Sequence, residues 1–251
     1  MLDAPTTFAD ALPTLDGIEG WLTDDQARRL WDSARRLQPG ARAVEIGSFR
    51  GRSTVITALG LPDTARLVAI DPHAGNDRGP QEIEGKEAEA ETDHTVFLAN
   101  LERAGVRGRV DYVRQFSDAA HDAVEGDIDL LYIDGAHRFA PARDDIVTWG
   151  ARVVPGGTML IHDSFSSIGV TLALLATLAP SDQWQYVGRS GSMAEYRKVP
   201  LAADQRRRSA LAQAAQLPWF ASNVVIKVLI QARLRPVARA LGFPDDKPWP
   251  F

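Results

Sequence analysis

Cysteine is absent from the 251 residues, so disulfides, thiolate metal ligands and cysteine nucleophiles are excluded together. That absence fits a reducing compartment, and the expected location is the cytoplasm. No stretch reaches the roughly 18 apolar residues that a membrane-spanning helix needs. The first ten residues carry Asp3 and Asp10 but no Lys or Arg, which does not read as a secretory signal. Internal repeats and low-complexity tracts are missing as well. What remains is ordinary for a globular chain: 45% hydrophobic and 24% charged residues, with enough length for one sizeable core. The net charge of −5 is uneven. Residues 201–251 hold eight Lys/Arg against three Asp/Glu, so the rest of the chain is strongly acidic. An acidic body argues against nucleic acid as a partner.

Strand and helix signals alternate through the middle of the chain. Thr23 to Leu37 reads as a helix, with Thr23 as N-cap, Asp24 and Asp25 in its first turn, and Pro39-Gly40 as the stop. Short apolar strands are expected at Arg42 to Ile46, Arg66 to Ile70, Arg109 to Val113, Ile128 to Ile133 and Thr158 to Ile161. Helices are expected at Gly51 to Gly60, Asp93 to Ala104, Ser117 to Val124, Pro141 to Trp149 and Ile168 to Leu178. Gln185 to Val187 and Ala194 to Lys198 complete the set as a hairpin around Gly188 to Gly191. The predicted fold class is α/β: a doubly wound, mostly parallel, seven-stranded Rossmann-like sheet with helices on both faces. Three parts follow. Residues 1–40 form an N-terminal helical cap, 41–200 the central domain, and 201–251 a basic helical extension. Asp71 to Glu91 is Gly- and charge-rich and reads either as an active-site lid or as a solvated loop.

Ligands of open α/β sheets bind beyond the carboxyl ends of the strands. The strand-terminating residues are therefore the ones to inspect: Gly47, Asp71, Phe116-Ser117, Asp134 and His162-Asp163. In the first loop, Gly47 and Gly51 stand four apart, so the GxGxxG of dinucleotide enzymes is missing. Small residues there let a ligand approach the backbone at a helix start. Glu45, just inside the strand end, can face an ammonium group. Asp71 ends the second strand, where an acid commonly accepts hydrogen bonds from ribose hydroxyls. After the fourth strand, Asp134 and His137 stand three apart around Gly135, so both can face one cleft. Asp134 suits a metal, and His137 suits a general base because imidazole titrates near neutrality.

VEIGSFRGRS, AIDPH, LLYIDGAH and VPGGTMLIHD together resemble the class I S-adenosylmethionine-dependent methyltransferases. Among these, the chain resembles the metal-dependent sugar O-methyltransferases of the macrocin and mycinamicin type and related small families. The resemblance runs from about Ala41 to Leu178. It implies that Glu45, Gly47, Ser48, Gly51 and Ser53 surround the methionine part of S-adenosylmethionine. Asp71 would hold the ribose, and Phe116 and Ser117 would lie against the adenine. It further implies Mg²⁺ on Asp134 and Asp163, with His162 beside them. In those relatives, however, a second acid stands at the position of His162 or an amide at that of Ser164. Imidazole is a poorer Mg²⁺ ligand than carboxylate. Either His162 points elsewhere, or the metal differs, or none is bound.

The expected function is methyl transfer to a hydroxyl of a sugar or other small hydroxylated metabolite, with Asp134 and His137 as the catalytic pair. An NAD-linked dehydrogenase and a non-catalytic S-adenosylmethionine-binding scaffold are the alternatives. Leu217 to Phe243 reads as a basic amphipathic helix, with Val225, Val228, Leu229 and Ala232 on one stripe. It would pack on the domain, form a homodimer contact or lie on a membrane surface. Pro236 should kink or interrupt it, and Arg206-Arg207-Arg208 should be a solvated face.

Overall fold

The computed structural model describes residues 5–75, 87–234 and 236. Seven strands form one sheet: β1 (Arg42–Ile46), β2 (Arg66–Ile70), β3 (Val110–Val113), β4 (Ile128–Ile133), β5 (Val153–Ile161), β6 (Trp184–Ser190) and β7 (Met193–Lys198). Their order is β3-β2-β1-β4-β5-β7-β6, with the first five parallel and β7 antiparallel to both neighbours. The chain winds outward from β1 in both directions, so the sheet reverses between β1 and β4. That is where such sheets open a crevice.

Two cores sandwich the sheet, one on each face. Along β1 the side chains alternate: Ala43 joins the core with Leu30, Trp31, Val55 and Phe97, while Val44 and Ile46 join the core with Ile146, Trp149 and Val170. The period of two delivers successive residues to opposite faces. Both faces are covered, so the strands read as apolar runs. On the first face lie α1 (Phe8–Ala11), α2 (Asp24–Arg35), α3 (Arg52–Gly60) and α4 (Glu87–Arg103). On the second lie α5 (Phe139–Ala151) and α6 (Ile168–Thr177). Thr23 caps α2 as expected, and Gln26 closes a reciprocal capping box with it.

Several boundaries differ from the sequence expectation. The segment after β3 forms two short 3₁₀ turns, Ser117–Ala119 and His121–Ala123, instead of one helix. Ala120 between them has ψ near 0°, which ends the first turn before an α-helical ladder can start. Strand β5 begins at Val153, five residues early, and its register against β4 slips between Ile128 and Leu130 to accommodate Pro155-Gly156-Gly157. The hairpin turns at Gly191-Ser192, since Gly188 sits inside β6 at a second register shift.

The C-terminal part contains α7 (Ala203–Ala214) and α8 (Leu217–Gln231). Arg206, Arg207 and Arg208 are exposed, as expected. The expected packing stripe is a correction. Val225 and Val228 point to solvent, and the buried face of α8 carries Asn223 and Ile226. A polar anchor decides this. Asn223 Nδ2 donates to the Phe165 carbonyl at 3.1 Å, and Lys227 Nζ donates to the Ser166 carbonyl at 3.2 Å. The helix therefore packs on the domain through these groups. It ends at Gln231, before Pro236, and Arg235 and Arg239 lie outside the described residues, as do residues 76–86 of the expected lid. Among the described residues, no helix is long and apolar enough to cross a membrane.

Candidate active site

A cleft of about 800 Å³ opens over the carboxyl ends of β1 to β5. The loop after β1 forms its first wall. Gly47 has φ of +84°, and a Cβ there would sit 2.2 Å from the Asp134 carbonyl oxygen. Only glycine fits so close an approach in that conformation. Asp71 then holds the loop from below. Its Oδ2 accepts from the backbone N–H of Ser48 at 2.8 Å and of Phe49 at 2.9 Å, and its Oδ1 from that of His73 at 2.7 Å. Asp71 thus shapes the loop as well as facing the cleft, and Phe49 is kept at a φ of +45°. His73 supports the same loop, with Nε2 2.7 Å from the Phe49 carbonyl and Nδ1 2.6 Å from the Tyr112 hydroxyl.

Of the eight residues expected around the cofactor, Gly47, Ser48, Ser53, Asp71, Phe116 and Ser117 line this one cleft. Glu45 and Gly51 stand behind its surface. Gly51 caps α3 with φ of +87° against the Phe97 ring. Glu45 is buried and accepts a hydrogen bond from the Ser53 hydroxyl. Burial pushes its carboxyl up to about 8. The Ser48 hydroxyl is buried without a partner in the fold, and Phe116 is 53% exposed at the cleft. An orphan hydroxyl, a glycine cradle and an open aromatic face suit a nucleoside bearing an amino-acid tail.

Two contributors escaped the sequence reading. Asp145, on α5, reaches the cleft and accepts a hydrogen bond from the Ser117 hydroxyl at 2.6 Å. Burial raises its carboxyl to about 6. Glu19 to Leu22 form the rim opposite, with the Trp21 ring 5.2 Å from that of Phe49. Arg52 fixes this rim by donating to the carbonyls of Leu15, Ile18 and Leu22 at 2.9–3.2 Å. No local pattern announces either contact. Arg52 in the first turn of α3 was the available signal for the rim.

The polar end of the cleft joins β4 and β5. Asp134 Oδ1 lies 3.1 Å from His162 Nδ1, and Asp163 Oδ2 lies 3.5 Å from the same nitrogen. His137 Nε2 lies 2.5 Å from Asp163 Oδ2. The Tyr132 hydroxyl donates to Asp134 Oδ2 at 2.9 Å, and the Ser166 hydroxyl to Asp163 Oδ1 at 3.1 Å. All four residues expected to carry chemistry are thus brought together. Burial alone would discharge His162, but the carboxylates of Asp134 and Asp163 outweigh it and hold the imidazole well above its ordinary value. Burial likewise opposes ionisation of Asp163, and His162 and His137 overcome it, so the acid falls well below the carboxylate range. Desolvation keeps Tyr132 protonated, as its donor role requires. Asp163 has φ of +53° and Phe165 φ of +58°, so the turn after β5 is strained. The contact from Asn223 holds that turn.

Donor atoms of Asp134, His162 and Asp163 lie within 4.8 Å of one another. Neither ring nitrogen of buried His162 has a hydrogen-bond partner. Two carboxylates beside a buried imidazole form a donor set that fits a divalent cation.

Comparison with known proteins agrees with this geometry. Residues 44–164 match the model of a methyltransferase domain. A protein of Arabidopsis thaliana named as a probable caffeoyl-CoA O-methyltransferase is 22% identical over 198 residues, covering 74% of this chain and 72% of its own. The O-methyltransferase from Bacillus cereus, solved with S-adenosylhomocysteine (SAH), superposes with a TM-score of 0.51 at 15% identity, over 80% of this chain and 93% of that one. The SAH-bound methyltransferase PaMTH1 of Podospora anserina gives 0.55 at 17%, over 77% and 88%. The two structures share the fold, and the segment matched by the family model spans the loop after β1, Asp71 and both halves of the polar cluster. Residues 44–164 therefore resemble a methyltransferase domain, and the chain shares its fold with methyltransferases solved with SAH bound.

Proposed function

We propose that the protein is an O-methyltransferase acting on a hydroxyl of a small metabolite, a sugar or another hydroxylated compound, with a divalent cation and with His137 as base. One observation carries this reading. The same cleft that offers the Ser48 and Phe116 face also holds His137, Asp134, His162 and Asp163 at its other end. The relatives named as O-methyltransferases support oxygen as the acceptor atom.

In this reading Gly47, Ser48 and Ser53 seat the methionine part, Asp71 the ribose, and Phe116, Ser117 and Asp145 the adenine. When bound, S-adenosylmethionine would supply the activated methyl group, and a cation held here would lower the pKa of the acceptor hydroxyl. Asp134, His162 and Asp163 would hold that cation. His137 receives the hydroxyl proton, and Asp163 stabilises the resulting imidazolium from 2.5 Å. Transfer would join the acceptor oxygen to the methyl carbon as the carbon–sulfur bond breaks, with SAH as the leaving group and the proton on His137. The protein's main task is alignment of the two reactants with water excluded. The Trp21–Phe49 rim belongs to the acceptor side. Functionally the chain divides into a cap (1–40) that supplies this rim, a cofactor domain (41–200) and an extension (201–251) that braces the β5 turn.

Calorimetric titration of EDTA-treated protein with SAH, with and without a divalent cation, tests the proposal. NAD serves as the control. Binding of SAH but not NAD, with a cation heat abolished by Asp134→Ala, is the expected result. No binding of SAH would overturn the proposal.

A further inference from the structure

The geometry points to a metal site that prefers a first-row transition ion such as Mn²⁺, Fe²⁺ or Co²⁺ to Mg²⁺, with His162 as the selecting ligand. The inference rests on the metal-assisted reading above. His162 is 5% exposed, and neither ring nitrogen has a hydrogen-bond partner. The groups nearest its Nδ1 are the carboxylates of Asp134 and Asp163, at 3.1 and 3.5 Å, which places one nitrogen and two carboxylates around a common point. The backbone keeps it there: the His162 N–H donates to the Ile133 carbonyl at 2.9 Å, which continues the β4–β5 ladder. Both carboxylates are themselves oriented, one by Tyr132 and the other by Ser166.

The donor set is therefore two carboxylates and one nitrogen. Mg²⁺ is a hard ion that takes oxygen and holds its water, so an imidazole gains it little. Imidazole affinity rises along the series from Mn²⁺ through Fe²⁺ to Co²⁺. One nitrogen in place of an oxygen thus shifts the balance toward those ions.

The test uses the full chain, stripped with EDTA and saturated with SAH. Titration with Mn²⁺ and with Mg²⁺ should show Mn²⁺ binding at least about tenfold more tightly. Pulsed electron paramagnetic resonance of the Mn²⁺ form should show modulation from a directly bound ¹⁴N. His162→Asp should abolish that modulation and bring the two affinities together. His137→Gln should leave it in place. If His162→Asp does not fold by circular dichroism, His162→Asn replaces it for the same readings. Equal wild-type affinities for the two ions, or nitrogen modulation that survives the His162 change, would overturn the inference while leaving metal assistance standing. Undetectable binding of either ion by a protein that still binds SAH would remove both.

Discussion

Replacing Glu45 with Gln should remove a strong pH dependence from the stability of the fold. The side chain is 1% exposed, Oε1 is held by the Ser53 hydroxyl, and Oε2 has no partner in the fold. Burial moves its carboxyl from 4.5 to about 8, with the charges of Asp134 and Asp71 adding to the effect. In the unfolded chain the group titrates at its ordinary value. Between pH 4.5 and about 8 the folded chain therefore binds one proton more than the unfolded chain. Stability must fall as pH rises through that window and become insensitive to this group above it. Each pH unit inside the window is worth about 1.4 kcal/mol, so the full window amounts to roughly 5 kcal/mol. That is comparable with the entire stability of many domains. Gln preserves the shape and does not titrate. Urea unfolding of both proteins, followed by far-ultraviolet circular dichroism, measures the difference directly. The gap between wild type and Glu45→Gln should move by about 3 kcal/mol between pH of about 5.5 and about 7.5, in favour of the variant at the higher pH. Parallel profiles across that interval would refute a buried, protonated Glu45.

Three further outcomes follow from particular contacts. Gly47→Ala places a Cβ against the Asp134 carbonyl and a side chain at positive φ, so a loss of at least about 2 kcal/mol in urea unfolding, together with loss of SAH binding, is expected; unaltered binding would disprove the close approach. His137→Gln should lower kcat by about 10²-fold or more with SAH affinity unchanged in calorimetry, and full activity would remove His137 from the base role. Asn223→Ala leaves the Phe165 carbonyl buried and unpaired, costing about 1–3 kcal/mol in the same denaturant assay, whereas an unmoved midpoint would show that α8 does not brace the β5 turn.

The parallel half of the sheet was legible because its strands carry their signal locally. RAVEI, RLVAI and IDLLYI are short, mostly apolar runs closed by a small or acidic residue, and their observed bounds coincide with the expected ones. Elements whose limits depend on partners were read less well. The start of β5 is set by pairing with β4 across a bulge, and no window of the sequence holds that information. The packing face of α8 was misread for a related reason. Hydrophobicity nominated Val225 and Val228, but a polar residue, Asn223, finds a carbonyl at the strained turn and turns the helix onto it. Ile226 is buried on the same side and Trp219 and Phe220 pack against the second core, so apolar contacts support that orientation and the two valines are left to solvent.

The cleft shows the same division. In a doubly wound sheet, every parallel strand ends on one edge, so residues far apart in sequence converge there without long-range information. Gly47, Asp71, Asp134 and Asp163 were legible on that account, and His137 followed from its distance to Asp134. The walls come from elsewhere. Asp145 reaches the cleft from α5 where Ser117 holds it, and the Glu19 to Leu22 rim is anchored by Arg52, which gathers three carbonyls from a segment 30 or more residues earlier, and by the Arg50–Glu19 ion pair. Such contacts link two positions that are each unremarkable alone. In the function proposed above, the cofactor is held at the strand ends, where the fold repeats itself, and the acceptor is met by the cap and its anchors. Changing Trp21 or Phe49 should alter which acceptor is used far more than whether SAH binds, and SAH titration of those variants beside an acceptor screen separates the two effects.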